Sequence, residues 1–561
     1  MDGIISERSL ALLPWEILAQ IFEHLVPDPP EIGETKPVGY DKLVPGEAWY
    51  DFTRCRRGLW SLNLVSRHFA TIARPLLYRV IAILDEEGML LFLRTLTDRQ
   101  DFGHSTRYLS CHLTLTRDSV VREIRRSFGK LLRTFNPHSP GLAVGSPIGR
   151  ALEIMVVALP VLSTHAGDFD GVPQVLMFFI LTYLKNLETL MLQVPICDDH
   201  PEYRLLFEKF FQAWDAWEAH LDARQDARQD ADLHEGMDED QDEDLDAEIR
   251  PPLQNVETLL LQGDPELLEH FESDDCSCEV PEVWGCQARD YWPLFECIPN
   301  LTTLEVSSDD GVWAVTKRDR PHKRPPYLRG IRHLYLHNSI ACPRNLHQVL
   351  KNAPDLQTLY MTPRREDDFD HGPGGDDTHA HPESLDTALL EHSTKLRHLD
   401  VGWFDCRGFE ALIGPEGRLS CLSELAHLEK LCIQLCVLYG NNPANLLTPL
   451  VDLLPPALVE LTLEEWWEDD IDTYEDMVDW SVIDMITHYQ LKQDYRAKAI
   501  RILEHFAMSC PSHLPKLRKV TFLIKIPFTW SVEGQVSMAS HFSGVKYLLD
   551  GHGIEFLVED A

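Results

Sequence analysis

A short pattern that recurs along the chain constrains its fold more than any other feature of the sequence. An apolar residue is followed by Leu three positions later and by a second apolar residue two positions beyond that Leu. Leu occupies the middle position in eight of nine clear copies, and Val520 is the exception. The clear copies start at Asn186, Asn255, Asn300, Ile331, Asp355, Lys395, His427, Ala457 and Lys516, and a degenerate copy starts at Thr106. This regularity predicts a series of equivalent short strands.

Helix-like segments precede most of the predicted strands. In Asn345–Pro354, three apolar residues recur at helical spacing, and the final proline ends the helix just before the next strand. The same arrangement is predicted for Leu294–Pro299 and Leu446–Pro455. Because helices alternate with short strands, we predict an α/β fold with a parallel sheet that has helices on one side.

This alternation resembles the leucine-rich repeat, in which a parallel sheet lines the concave face of a solenoid and helices form the convex face. Successive copies lie 25 to 69 residues apart. The usual spacing is about 20–29 residues, so the array is expected to be irregular and to carry insertions. Strand side chains alternate, so the Leu and the last apolar residue of each copy are predicted to point into the core.

The residues between those core positions are predicted to line the concave face. Solenoid proteins bind partners with this surface, although the same residues would also be expected on a merely solvated strand. The tentative candidates for binding a protein substrate are His333, Tyr335, Thr358, Tyr360, His398, Asp400 and Lys430.

Residues 1–80 follow a different pattern. A helix is predicted from Leu13 to Leu25, since its apolar residues recur at helical spacing, Pro14 suits a first turn and Pro27 ends it. Residues 27–57 are rich in Pro, Gly and charge and are predicted to form a loop. A second helical stretch over residues 59–73 leads into a strand-like run that ends at Val80.

The stretches LPWEILAQIFEHL and LWSLNLVSRHFATIARPLLYRVI resemble the F-box. The likeness covers about 65 of the 561 residues, and the order of an F-box before leucine-rich repeats is similar to that of large, irregular proteins of filamentous fungi. The resemblance implies a small helical module that binds the adaptor subunit of an SCF-type cullin–RING ubiquitin ligase, while the repeats recruit the substrate. The residues that it implies for adaptor binding are Leu13, Pro14, Ile17, Ile21, Leu62, Val65 and Phe69.

Two domains are therefore predicted: an F-box over 1–80 with an inserted loop 27–57, and a repeat array over 81–561. The inserted loop departs from the family, whose two helices are usually joined by a short connection. The alternative is an amphipathic helix pair that only caps the solenoid, since a terminal repeat needs a cap.

The net charge of −39 is confined largely to three segments. Residues 222–248 carry −11, residues 464–494 carry −10 and residues 366–386 carry −8. We predict that these are acidic insertions between repeats and that 222–248 is disordered. The negative charge argues against a nucleic acid or an anionic membrane as the partner, although the repeat frame itself is close to neutral.

No common catalytic or cofactor motif is present, so neither an enzyme nor a cofactor is predicted. The chain lacks G-x-x-x-x-G-K-[ST], H-E-x-x-H and G-x-S-x-G, and the acidic run Asp238–Asp246 lacks the glycine of an EF-hand. Two segments hold residues that bind metals elsewhere, but no metal is predicted. They are the four cysteines Cys276, Cys278, Cys286 and Cys297, and the histidines of 366–386. The first has no known zinc spacing, and the second is rich in Gly and Pro and is predicted to be a flexible loop, whereas a metal site needs a rigid one.

Two further segments have more than one interpretation. The basic amphipathic stretch Val120–Phe135 is typical either of a repeat helix or of a segment that binds membranes or acidic partners. The acidic, Trp-containing segment Glu464–Asp494 is typical either of a partner surface or of an ordinary amphipathic helix.

The sequence as a whole predicts the substrate-recognition subunit of an SCF-type ubiquitin ligase. Its predicted partners are the adaptor, through it cullin and a RING protein, and an unidentified protein substrate. The alternative is a leucine-rich-repeat scaffold with no role in ubiquitin transfer. The thirteen cysteines, without a secretory signal or a long apolar segment, favour a reduced compartment, the cytoplasm or the nucleus or both.

Overall fold

The computed structural model divides the 561-residue chain into two compact units. The first contains Met1–Val280 and Asp290–Leu301, and the second contains Pro281–Arg289 and Thr302–Ala561. The predicted domain boundary after residue 80 lies inside the first unit. The structure describes residues 13–27, 47–83, 86–112, 176–177, 180–181, 183–194, 253–263, 294–295, 298–307, 328–339, 343–363, 384–402, 418–440, 448–464, 482–524 and 541–560.

The first unit combines N-terminal helices with a parallel sheet. Its strands run in the order β1-β2-β3-β4 and pair in parallel. The helices are α1 (Trp15–Glu23), α2 (Glu47–Val65), α3 (Arg67–Leu77), α4 (Glu86–Asp98) and α5 (Gln100–Ser105). The strands are β1 (Val80–Ile83), β2 (Tyr108–His112), β3 (Thr189–Val194) and β4 (Thr258–Gly263).

Helices α1, α2 and α3 pack around one apolar cluster. Leu18 and Leu59 are fully buried in it, and the rings of Phe22 and Phe69 meet edge to face with centroids 5.4 Å apart. Such aromatic contacts add about 0.5–1.5 kcal/mol to the stabilisation from burial itself. The N-terminal helices therefore have a core of their own, which we call the N-terminal core and which consists of Leu18, Phe22, Leu59, Phe69, Ala73 and Leu77.

The predicted loop over 27–57 is wrong for its last eleven residues, because α2 begins at Glu47. Phe52 in this part of α2 is buried against Val80, Tyr108 and Met191 of the sheet. Burial of Phe52 against these strand side chains thus stabilises a helix in a segment whose Pro, Gly and charged residues favoured a loop. Met191, predicted to be exposed on the concave face, is instead only 8% exposed.

The predicted second helix is two helices, α2 and α3, which are separated at Ser66. Ser66 has an extended backbone, and its hydroxyl accepts a hydrogen bond of 3.1 Å from the Phe69 amide. This is the N-cap of α3, which satisfies one of the amides that a helix start leaves unpaired. Pro75, expected to follow the helix, lies inside α3.

Replacing Ser66 by Ala is expected to destabilise the N-terminal helices by about 1 kcal/mol, since the Phe69 amide loses its acceptor. Amide hydrogen exchange of residues 67–77 should report the loss as faster exchange. Ser61→Ala is the matched control, because the Ser61 hydroxyl only donates to the Arg57 carbonyl inside a helix. Equal exchange in the two variants would contradict the capping role.

In the second unit, the described residues form eight parallel strands, which run in the order β5 to β12 along the sequence. The strands are β5 (Thr303–Ser307), β6 (His333–Ser339), β7 (Thr358–Pro363), β8 (His398–Val401), β9 (Lys430–Gln434), β10 (Glu460–Glu464), β11 (Lys519–Ile524) and β12 (Glu555–Asp560). The helices are α6 (Pro343–Asn352), α7 (Leu385–His392), α8 (Leu435–Tyr439), α9 (Leu450–Leu453), α10 (Val482–His513) and α11 (Ser543–Asp550), with a 3-10 helix at Cys421–Glu424.

The predicted strands and their core positions are confirmed. All nine clear copies and the degenerate copy at Thr106 form strands. Both core positions of every clear copy are buried, including Val520 in the copy that lacks the Leu. Leu304 and Val306, for example, are fully buried. The chain is therefore an α/β protein whose parallel strands follow one another in sequence order within each unit, an arrangement compatible with a solenoid.

A row of asparagine side chains links successive strands of the first unit. The Nδ2 atoms of Asn186, Asn255 and Asn300 donate to the carbonyl oxygens of His104, Lys185 and Gln254, at 2.8, 2.8 and 2.5 Å. Each Asn stands one residue before the first apolar position of its copy. These side chains donate hydrogen bonds to backbone carbonyl groups that lie outside the strands. The need to satisfy such groups explains why Asn recurs at this position.

Part of one predicted acidic insertion is helical, and one strand of the sheet has no counterpart in the sequence pattern. Helix α10 starts at Val482, so residues 482–494 of the acidic segment 464–494 are helical. Strand β12 was not predicted. The segments 120–135 and 222–248, the four cysteines between 276 and 297, and residues 366–383 lie outside the described residues. Among the helices that the structure does describe, none has both the length and the apolar character needed to cross a membrane.

Candidate docking surfaces of the two units

Helix α1 has two apolar faces, of which only one is used by the N-terminal core. Leu18 and Phe22, four residues apart, are buried in that core. Ile17 and Ile21, also four residues apart, are 42% and 40% exposed. The neighbouring Trp15 is 61% exposed. Helix α1 therefore presents a second row of large apolar side chains to solvent.

Helix α2 repeats this arrangement on the same core. Leu59 is fully buried, whereas the adjacent Trp60 is 53% exposed. One turn later, Leu64 and Val65 are 68% and 64% exposed. We call the six exposed apolar residues of α1 and α2 the N-terminal apolar surface. It consists of Trp15, Ile17, Ile21, Trp60, Leu64 and Val65.

The concentration of exposed apolar residues in this module is unusual. Ten large hydrophobic residues are exposed in the described part of the chain, and six of them belong to the N-terminal apolar surface. Single exposed apolar residues are common in proteins and need no explanation, whereas clusters of them mark binding surfaces. Tryptophan is also enriched among the residues that dominate binding energy.

The residues predicted to bind the adaptor are divided between this surface and the core. Ile17, Ile21 and Val65 belong to the surface, and Pro14 beside them is exposed. Leu13 and Leu62 are partly buried and pack against the N-terminal core. Phe69 must be reassigned: it is only 7% exposed and lies within that core, so it supports the surface and does not form it.

Sequence reasoning missed Trp15, Trp60 and Leu64, which are the most exposed members beside Val65. The sequence did hold a signal for two of them. Trp60 directly follows the buried Leu59, and Leu64 lies four residues after Trp60. Helix α2 therefore has more apolar positions than one buried face accounts for.

In the second unit, the side chains that alternate with the buried ones form what we call the non-core face of the sheet. The strand register arranges them in two rows. The first row is Thr303, His333, Thr358, His398, Lys430, Glu460, Lys519 and Glu555. The second row is Glu305, Tyr335, Tyr360, Asp400, Cys432, Thr462, Thr521 and Leu557.

The first row is joined by polar contacts between neighbouring strands. His333 Nδ1 lies 3.0 Å from Thr358 Oγ1, and Lys430 Nζ lies 2.8 Å from Glu460 Oε2. Burial, with the charge of Lys430, lowers the pKa of His398, so this imidazole is neutral at pH 7. Thr358 is buried, so it is not available as a contact residue.

Two aromatic rings of the second row meet a third ring, that of His337, which lies two residues beyond Tyr335 on β6. The Tyr335 and Tyr360 rings have centroids 6.1 Å apart, and the ring of His337 lies 4.8 Å from Tyr360 and 6.3 Å from Tyr335. All three residues are partly exposed. Amphipathic rings that combine an apolar face with a polar tip are frequent anchors in protein interfaces. We call Tyr335, His337 and Tyr360 the aromatic cluster.

Three carboxylates accompany the aromatic cluster. Glu305 Oε1 lies 3.2 Å from His337 Nε2, and Gln434 Nε2 donates to Glu464 Oε2 at 3.0 Å. Burial, together with the Glu464 carboxylate, raises the pKa of Asp400 to about 6, although the Cys432 thiol and His337 act in the opposite direction. Burial and these same carboxylates raise the pKa of Tyr360 to about 12. The electrostatic character of this surface therefore favours cationic groups.

The structure brings the predicted substrate-binding residues onto one face, in two adjacent rows. His333, His398 and Lys430 lie in the first row, while Tyr335, Tyr360 and Asp400 lie in the second. His337, Glu305 and Glu464 were not predicted as candidates. Glu464 is the last residue of β10, whereas His337 lies inside β6. Each follows the last apolar residue of its copy, Leu463 or Leu336, at a position that the pattern does not specify.

Three of the described cysteines are poorly suited to act as nucleophiles. Burial raises the pKa of the thiols of Cys111, Cys421 and Cys510, the last to about 11. A nucleophilic cysteine needs the opposite shift, since the thiolate is the reactive form. These three thiols are accordingly part of the core.

Comparison of the chain with protein-family models and with curated protein sequences gives no match. The function of the chain is therefore inferred from the two surfaces and from the resemblances in the sequence.

Proposed function

We propose that this chain is the substrate receptor of an SCF-type cullin–RING ubiquitin ligase, with an F-box over residues 1–80 and leucine-rich repeats over residues 81–561. The observation that carries the proposal is the N-terminal apolar surface. It stands on the helices that resemble an F-box, and it includes three of the seven residues that the resemblance implies for adaptor binding.

Adaptor binding would bury side chains that the free chain leaves in water. Removing apolar surface from water stabilises a complex by about 25 cal/mol per Å², which makes large exposed side chains the dominant contributors. Truncation of a central interface residue of this kind typically costs at least about 2 kcal/mol. Trp15, Trp60 and Leu64 are the residues for which we expect the largest losses.

The non-core face of the second unit would hold the substrate. The aromatic cluster supplies anchors, and Glu305, Asp400 and Glu464 favour a basic segment of the substrate through charge complementarity. The chain itself transfers no chemical group in this mechanism. It raises the effective concentration of substrate lysines near the ubiquitin-conjugating enzyme that the ligase recruits.

Affinity purification with ligase activity blocked tests both assignments at once. The full-length chain is expected to recover the adaptor, cullin and a distinct set of other proteins. The double variant Ile21→Glu with Leu64→Glu should lose the adaptor and cullin but keep the other proteins. The double variant Tyr335→Ala with Tyr360→Ala should show the reverse pattern.

Met508→Glu is the matched control, because Met508 is as exposed as Leu64 and Val65 but lies on α10 of the second unit. It should recover every partner. Recovery of the other proteins without adaptor or cullin by the unmodified chain would contradict the proposal. That result would favour the alternative, a leucine-rich-repeat scaffold without a role in ubiquitin transfer.

A further inference from the structure

Two histidines and a glutamate converge on the helical side of the second unit, away from the residues considered so far. His347 lies on α6, and Glu391 and His392 form the C-terminal end of α7. The Nε2 atoms of the two imidazoles are 3.2 Å apart, and Glu391 Oε2 lies 3.6 Å from His392 Nε2. One ligand atom from each residue lies within 4.8 Å of the others. Both histidines are partly buried.

The separations of 3.2 and 3.6 Å are close to those between the ligands of a tetrahedral metal ion. Zn–N bonds of about 2.0–2.1 Å place neighbouring ligand atoms roughly 3.3–3.4 Å apart in a tetrahedron. A single hydrogen bond between two neutral imidazoles would also account for the 3.2 Å separation. The carboxylate of the exposed Glu391 favours a metal site over a hydrogen bond alone. It supplies the negatively charged ligand that two histidines lack, and its oxygen lies within 4.8 Å of both imidazole nitrogens.

We propose that His347, Glu391 and His392 bind a divalent transition-metal ion, with Zn²⁺ as the best match. Imidazole nitrogen and carboxylate oxygen are ligands that Zn²⁺ accepts, and a water molecule would complete four-coordination. The ion would join α6 to α7, the helices that precede β7 and β8. The proposal does not depend on the role of the chain in ubiquitin transfer.

Two features of the surroundings weaken the expected affinity. Nδ1 of His347 is buried without a hydrogen-bond partner, whereas ligating histidines usually donate this proton to a second group. Absence of such a partner typically lowers metal affinity by about 10–100-fold. Lys351, one turn after His347 on α6, also places a positive charge near His392. Lys351→Met is therefore expected to strengthen binding.

The consequence of occupancy would be a more stable second unit. A ligand that binds only the folded state stabilises it by RT ln(1 + [L]/Kd), which makes the melting temperature depend on the metal concentration. Because the site joins two helices from consecutive strand–helix pairs, its occupancy should slow local opening of α6 and α7 in particular.

Isothermal titration of the chelator-treated, full-length chain with ZnCl₂ tests the proposal. The wild-type chain is expected to bind one more Zn²⁺ than His347→Ala or His392→Ala, and Glu391→Gln should weaken that site at least tenfold. Co²⁺ should give the intense visible absorption of a tetrahedral complex in the wild type and lose it in both histidine variants. Zn²⁺ should raise the melting temperature of the wild type and leave that of His347→Ala unchanged.

Two controls separate this site from other zinc ligands, since the chain has 25 histidines. His427→Ala removes an exposed histidine of the second unit and should leave the titration unchanged. The triple variant His371→Ala, His379→Ala and His381→Ala removes the histidines of the acidic segment 366–386. Loss of the Zn²⁺ site in the triple variant with its retention in His347→Ala would overturn the proposal. Equal stoichiometry and affinity in the wild type and His347→Ala would overturn it as well.

Discussion

Replacing Phe69 by Ala is expected to reduce the free energy of unfolding of the N-terminal helices by about 3–5 kcal/mol, the usual cost of removing a buried phenylalanine. Phe69 is 7% exposed and fills the N-terminal core together with Leu18 and Leu59. Its ring also meets Phe22 edge to face, so the substitution removes an aromatic pair as well as apolar burial. Losing this core would disorder the helices that present the N-terminal apolar surface.

The measurement is the opening free energy of α1, α2 and α3 from amide hydrogen exchange, since the whole chain is too large for a two-state analysis. Val65→Ala is the control, because Val65 is 64% exposed on the preceding helix and should change the opening energy by less than about 0.5 kcal/mol. If Phe69→Ala behaved like Val65→Ala, the assignment of Phe69 to the core would be wrong.

Replacing Asp400 by Asn is expected to stabilise the second unit at pH 7 by up to about 3 kcal/mol. Burial raises the pKa of this carboxyl from 3.8 to about 6, so ionisation is unfavourable in the folded state. Each unit of such a shift corresponds to about 1.4 kcal/mol. The full stability exists only below pH 3.8, where both states are protonated, and it is lost as the pH rises through about 6.

The difference in unfolding free energy between Asp400→Asn and the wild type should therefore be largest above pH 7 and should shrink as the pH falls towards 4. Opening free energies of β8 and its neighbouring strands, obtained from amide hydrogen exchange at several pH values between 5 and 8 and corrected for the intrinsic exchange rate at each pH, would show this trend. Asp452→Asn is a suitable control, because it makes the same substitution at an exposed position on α9. A pH-independent difference for Asp400→Asn would contradict the burial of an ionisable carboxyl at this position.

The strands could be predicted from the sequence because their periodicity is strict. Two core positions that are two residues apart are buried in every clear copy, and the first of them is Leu in eight of nine copies, so the pattern predicts both the strand and its register. Strand β12 escaped because Gly553 occupies its turn position, where the other copies have an apolar residue. Gly553 has a φ of 72°, a left-handed conformation that a glycine adopts without strain.

The helical part of the predicted loop could not be found from local composition. Residues 47–57 follow a stretch rich in Pro and Gly and carry five charged residues, and their helix buries Phe52 against Val80, Tyr108 and Met191. Met191 is more than a hundred residues away in the sequence. Tertiary contacts of this kind override local propensity, and a single sequence does not contain them in any periodic form.

The sequence also could not separate core residues from surface residues in the N-terminal helices. The sequence pattern identified Ile17 and Ile21 as candidates for binding, but it did not separate them from Phe69, which is apolar and lies at a similar helical spacing. Only the packing of three helices around Leu18 and Leu59 shows which apolar residues are covered. The aromatic cluster likewise depends on the pairing of β6 with β7, which brings Tyr335 opposite Tyr360.

The most direct test of the central claim is the affinity of the purified full-length chain for the purified SCF adaptor, measured by isothermal titration. The wild type and Met508→Glu should bind with the same dissociation constant. The double variant Ile21→Glu with Leu64→Glu should bind at least about 100-fold more weakly, a loss of roughly 2.7 kcal/mol, because two charges would be buried in an apolar interface. Circular dichroism spectra that match the wild type would confirm that the variant is folded. Unchanged affinity in the double variant, or no binding by the wild type, would contradict the assignment of this surface to the adaptor.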